Sequence, residues 1–353
     1  MKKLLTIIGL AVATLSGANA AAFTAGNLAV SRVGDGSTTL ANSGGPMSLL
    51  EFTTTGIFVQ NIIVSSTVSS GLQTGGTAVS EGAISLSANG QSLTLAGYIP
   101  PFGSAGSLSG RNSTDAPRGY VTIGADGSVS SPTTLGTAFS GNNIRSGVAT
   151  ASGVYFAGGN TGTIYSSGGN NTTIQSSNAS TRVANVINGN LTYSTGSGTQ
   201  GIYGFTGTPT TATIATSIIT GLTGQGTSPY DFTFNSLNTV AYVADSNVGI
   251  QKFTFNGTVW SLAYNITTTS TGLTGLAVDF SGVNPTIFAV NPSNLWSYTD
   301  IGAGAMTSIA MAGDNYAFRG LDFAPIPEPS TFGAIALGAI SLLGARRLRR
   351  KVA

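Results

Sequence analysis

Asp231, Asp279 and Asp322 occupy three look-alike runs, PYDF, AVDF and GLDF, each read as the first strand of a repeated unit. Carboxylates repeated in that way could be brought to one axis, where oxygen donors alone can hold a hard cation such as Ca²⁺. Repetition also produces the pattern without function, each Asp turning outward from its sheet or capping a turn by accepting backbone N–H groups. The three are thus candidate metal ligands, and nothing else in the sequence calls for a cofactor. The chain has no His and no Cys, which removes imidazole and thiolate metal ligands, disulfides and every catalytic constellation built on a His base or a Cys nucleophile. Catalysis would have to rest on 12 carboxylates together with Tyr, Lys, Arg and hydroxyl groups.

Other groups invite similar scrutiny. Arg32, Arg118, Arg145, Arg182 and Arg319 are so few that pairing or the capping of carbonyls is their plainer role; Arg319 lies three positions from Asp322. Arg145 and Arg182 precede first strands in the same way. Trp260 and Trp296 could stack on sugars, with packing in the core as the plainer alternative. Gly34-Asp35-Gly36 and Ala125-Asp126-Gly127 read as turns.

The elements that must carry these residues are strands. Only 7% of the 353 residues are charged, and 50 are Gly, so the surface has to be built from Ser, Thr, Asn and Gly. Once Lys2, Lys3, the C-terminal bases and Glu328 are set aside, seven bases face eleven acids, which gives no support to a nucleic-acid partner. No stretch between the ends keeps a helical period; short β-rich runs alternate with Gly, Asn, Asp and Ser turns. Taking Ile84, Val148, Val183, Phe232 and Leu276 as first-strand markers gives spacings of 64, 35, 49 and 44 residues, near the period of propeller blades. The all-β reading is therefore a β-propeller of six blades, or seven if Gly119 to Ile123 belongs to a degenerate copy. Its last first strand, Phe318 to Phe323, lacks partners, and pairing it with the N-terminal runs Leu28 to Val33, Ser48 to Thr53 and Ile57 to Val64 closes the ring and removes an open edge. A β-helix or adhesin-like solenoid is the alternative for so Gly-, Ser- and Thr-rich a chain. The segment Val240 to Phe253 (VAYVADSNVGIQKF) resembles NHL-type and related propeller repeats, although Asp245 gives way to Gly158 and Asn291 at the corresponding turns.

Both ends read as addresses. Lys2 and Lys3, the apolar run Leu4 to Leu15 and the small residues Ala18 and Ala20 make a signal peptide over residues 1–20, cleaved by signal peptidase after Ala20. At the other end Pro327, Glu328 and Pro329 precede an apolar stretch at 332–345 and a basic tail, Arg346, Arg347, Arg349, Arg350 and Lys351. This composite over 327–353 resembles the PEP-CTERM sorting segment of bacteria with exosortase systems, and the resemblance implies export, passing membrane anchorage and processing by an exosortase. The residues agree: the basic tail should stay cytoplasmic by the positive-inside rule. Fourteen apolar residues span about 21 Å as a helix, short of a roughly 30 Å hydrocarbon core, which suits a transient transmembrane anchor.

The working molecule is then the exported domain 21–326. Its expected role is non-catalytic, in binding or structure at the cell envelope or in an extracellular matrix, associated with exopolysaccharide or biofilm. The alternative is a propeller enzyme that uses a divalent cation to act on a lactone or glycan.

Overall fold

Ile187 and Asn190 pair across a two-residue turn, Asn188-Gly189, with φ of 50° and 78°. Both positions need the left-handed region, which Asn and Gly enter most readily, and such turns match the twist of the hairpin that they close. Asp245 closes another turn by accepting the Asn247 and Val248 amides, and Asn291 does the same for Ser293 and Asn294 at 3.1 and 2.8 Å. Asn thus keeps the turn chemistry of Asp at the corresponding position. Such punctuation cuts the chain into four-stranded antiparallel meanders.

The computed structural model describes residues 21–327, apart from residue 68, residues 103–105, residue 160 and residues 221–227. Described elements are all β-strands. Four separate sheets begin with the strands Ile144–Ala149, Thr181–Ile187, Pro229–Phe234 and Gly275–Asp279, each followed in order by its partners. The remaining strands form a composite sheet. In one part Ala317–Phe323 pairs with Leu28–Val33, then Gly45–Phe52 and Phe58–Ile63; in the other Ile84–Leu86 pairs with Ser92–Tyr98, then Arg118–Gly124. The short strand Gln73–Thr74 joins the two parts.

The expected closure between the ends is present, with Leu28 opposite Phe323 and Val30 opposite Leu321. Gly119 to Ile123 lies within Arg118–Gly124, where Leu93 faces Ile123, so it is the third strand of the unit that Ile84 begins. The six first strands, Ala317–Phe323, Ile84–Leu86, Ile144–Ala149, Thr181–Ile187, Pro229–Phe234 and Gly275–Asp279, each pack on the next and return to the start. They form a closed ring, where a solenoid would have two ends.

Apolar clusters glue each sheet to its neighbour. Phe318, Leu321 and Leu28 pack on Phe288, Val290 and Leu295, while Val148, Tyr155 and Ala184 meet Leu191 and Tyr193. Burying one such large side chain is worth about 1.5–3 kcal/mol. Apolar residues on both faces of the strands serve two interfaces at once, which is why Gly45–Phe52 is buried along its whole length.

Candidate functional site

Hydrogen bonds run around the ring from one inner strand to the next. Ser146 Oγ accepts the Ala184 amide at 2.9 Å, Asn185 Nδ2 donates to Asp231 Oδ1 at 3.3 Å, and Asp231 Oδ2 accepts the Leu276 amide at 2.9 Å. Thr274 donates to the Arg319 carbonyl at 2.9 Å, Asp322 Oδ2 accepts the Leu86 amide at 2.7 Å, and Ala83 donates to the Arg145 carbonyl at 3.2 Å. Every neighbouring pair of inner strands is tied.

The candidate carboxylates belong to this seam in unequal ways. Asp231 and Asp322 lie close enough that the charge of one raises the pKa of the other. Burial is the larger cause: it lifts Asp231 well above the usual carboxylate range and Asp322 to about 6. Their other oxygens accept the Phe232 and Phe323 amides, both at 2.8 Å. Asp279 instead ends its strand and accepts the Ser281 amide at 2.8 Å. The look-alike DF runs therefore do not place three acids together, because Asp231 is the third residue of its strand while Asp279 is the last of its own. Among the described residues no three Asp or Glu side chains gather as a metal site. A cavity of about 310 Å³ opens where the inner strands end, lined by Leu86, Gly90, Asn185, Leu276 and Asp322.

The tryptophans separate as well. Trp296 is 3% exposed, within the core between neighbouring sheets. Trp260 is half-buried at the start of the outer strand Trp260–Thr267, held edge-on by Phe234 at 5.4 Å and tilted over Phe255 at 5.2 Å. It borders a cleft of about 430 Å³ whose polar lining comes from Asn190, Thr192, Thr206 and Asn238. A second cleft of about 350 Å³, lined by Ser217, Thr220 and Thr258, shares Trp260, Phe255 and Ile218 with the first. The two clefts adjoin at the indole, as a groove on either side of it. Aromatic surface flanked by a few fixed hydroxyls and amides is the chemistry that holds an uncharged polar ligand.

Arginines mostly cap carbonyls, as expected. Arg118 is fully buried and donates to the carbonyls of Asn142, Arg111, Ala116 and Ser109. Arg319 does not pair with Asp322 but donates to the carbonyls of Gly76 and Phe318. Asp35 and Asp126 accept amides within their own turns.

The ion pair found among the described residues, Lys252 with Asp300 at 2.7 Å, escaped sequence reasoning. Asp300 also accepts the hydroxyls of Tyr242 and Tyr264. Burial would push Asp300 up, but the bonds from Lys252 and both tyrosines outweigh it and hold the carboxyl below its usual range. The cross-strand series Tyr242, Lys252, Tyr264 was legible as a cation between two rings. Its acid arrives from the neighbouring sheet, 48 residues on, which no local pattern announces.

At the far end of the last inner strand, Ala324 donates to the Asn27 carbonyl and Ile326 to Gly90. The chain then leaves the described fold at Pro327, beside the 310 Å³ cavity that Gly90 lines. Residues 325–350 match the PEP-CTERM protein-sorting motif. The PEP-CTERM motif implies an exported chain that crosses the membrane and is processed by an exosortase. Of its parts, Glu328, Pro329, the expected helix 332–345 and the basic tail lie outside the described residues, as does the expected signal peptide with Ala18 and Ala20. Among the described residues no helix is long and apolar enough to cross a membrane.

No curated protein matches the sequence. Solved structures do match in shape. A chain of the crystal structure of a nidogen/laminin complex has a TM-score of 0.53 at 9% identity, covering 84% of this chain and 98% of that one. The WD40 β-propeller domain of Doa1 gives 0.46 at 9% identity, with 84% and 96% covered. A gluconolactonase from Xanthomonas campestris gives 0.46 at 12% identity, with 84% and 97% covered. The exported body is a β-propeller.

Proposed function

We propose that this PEP-CTERM protein is a non-catalytic binding protein of the cell envelope or extracellular matrix, and that its ligand is an uncharged polysaccharide. The observation that carries the reading is the groove past Trp260, with the half-buried indole between Asn190, Thr192 and Asn238 on one side and Ser217, Thr220 and Thr258 on the other. An elongated groove open at both sides of the indole suits a chain with many similar residues better than a single small molecule. A surface poor in charge also avoids repulsion from neighbouring copies and from polymer. The enzymatic alternative draws less support, because it needs convergent acids and the oxygens of Asp231 and Asp322 are engaged by backbone amides.

Tethered by its sorting segment, the ring would turn the cavity that Asp322 lines toward the membrane and present its outer groove sideways. Affinity electrophoresis in gels cast with the exopolysaccharide of an exosortase-bearing host tests the reading: the purified protein should be retarded and Trp260→Ala should not. Unretarded migration of the unaltered protein would remove it. Mass spectrometry of the protein recovered from that host should find both termini trimmed, the front after Ala20.

A further inference from the structure

The inner strands begin on the face opposite the cavity, and three of them place an arginine there. Arg145 and Arg182 are the second residues of Ile144–Ala149 and Thr181–Ile187, and Arg319 is the third of Ala317–Phe323. Each uses its terminal nitrogens to reach toward the next unit. Arg145 Nη1 donates to Ser180 Oγ and the Thr181 carbonyl, both at 3.0 Å; Arg182 Nη1 donates to Ser228 Oγ at 2.6 Å and the Pro229 carbonyl at 3.2 Å. Arg319 Nη2 donates to the Gly76 carbonyl at 2.6 Å.

These bonds leave Nε of each guanidinium unused, although both terminal nitrogens of Arg319 are engaged, Nη1 by the Phe318 carbonyl at 3.1 Å and Nη2 by that of Gly76. Nε of Arg145, Arg182 and Arg319 is buried with no hydrogen-bond partner, and Arg319 as a whole is only 2% exposed. An unpaired buried donor is costly, more so when charged, so three on one mouth call for a ligand. Their charge is only partly offset. Among the described residues none of the three forms an ion pair. The acids that act on them are Glu81 and Asp245, whose oxygens are already held: Glu81 by Tyr98 Oη at 2.7 Å and the Gly75 amide at 2.9 Å, Asp245 by the Ser228 and Asn247 amides. Burial lowers the pKa of all three guanidinium groups, that of Arg319 to about 10, and the charge of Arg182 lowers Arg145 further.

We propose that this mouth of the ring is an oxyanion site, in which the free edges of Arg145 and Arg182, with Nε of Arg319 as a further donor, bind a carboxylate or phosphate group. A guanidinium edge offers two parallel N–H donors that match the two oxygens of such a group. On this geometry the anion enters from the side away from the sorting segment, independently of the groove at Trp260.

Isothermal titration of the purified protein with inorganic phosphate, sodium glucuronate and, as the uncharged control, glucose tests the site. Saturable binding of either anion with none of glucose is the expected result, and the anion preferred distinguishes a phosphate source from an acidic saccharide. Arg182→Gln should weaken that binding by about tenfold or more, the loss of one charge-assisted contact. Arg145→Lys, which keeps the charge and discards the fork, should also weaken it and covers the case in which Arg182→Gln does not fold. Heat release that never saturates, or equal affinity in Arg145→Lys and the unaltered protein, would overturn the proposal.

Discussion

The carboxylate of Asp322 accepts the Leu86 amide at 2.7 Å across 236 positions of sequence, so the last inner strand is tied to the first to enter the ring. The bond joins the two halves of the composite sheet where the chain's two ends meet.

A pH dependence follows from this bond. Burial raises Asp322 from 3.8 to about 6, so the folded state holds the proton more tightly than the unfolded chain. A group shifted upward contributes stability that is complete below its unfolded pKa and is lost as pH rises through its folded value. A shift of two pH units corresponds to about 3 kcal/mol, and the shift of Asp231 adds in the same direction. Melting temperature should therefore be higher at pH 4.5 than at pH 7.5. Asp322→Asn, which keeps an acceptor for Leu86, should flatten that slope; an unchanged slope would locate the dependence elsewhere.

Closure of the ring should be a major source of stability. Phe318 is fully buried and meets Phe52 edge-on at 6.2 Å, across the junction of the C-terminal and N-terminal strands. Phe318→Ala is expected to cost about 3–5 kcal/mol in denaturant unfolding. A loss below 1 kcal/mol would mean that the junction contributes little.

The two tryptophans should respond oppositely. Trp296→Ala empties the core between neighbouring sheets and should lower stability by about 3–5 kcal/mol without a specific effect on polysaccharide binding. Trp260→Ala should abolish retardation by polysaccharide with a smaller loss of stability. Retained binding in Trp260→Ala would move the ligand away from the groove.

Breaking the Lys252–Asp300 pair from one side leaves a carboxylate whose side chain is wholly buried. Lys252→Met should destabilise by about 3 kcal/mol, and adding Asp300→Asn should restore part of that loss, since the uncompensated charge is then gone. A double variant worse than the single one would show that the tyrosine hydroxyls need the negative charge more than the lysine does.

What the sequence determined by itself is what depends on short range and on composition. Absent His and Cys bounded the chemistry, the Asn, Gly and Asp turns set the strand rhythm, and the C-terminal end announced its sorting role through contiguous residues. Ring closure was legible too, because an unpaired strand at one end and spare strands at the other demand each other. The tertiary structure alone decided which side chains meet. Three similar DF runs diverged because strand pairing, not the motif, assigns a residue's depth in the ring. Trp260 and Trp296 share a residue type and parted because one lies where two sheets pack and the other where their outer strands splay. Asp300 reached Lys252, and Arg145, Arg182 and Arg319 shared one mouth, only after neighbouring sheets had been set side by side; burial and charge there arise from contacts between separate units, which no local stretch of sequence contains.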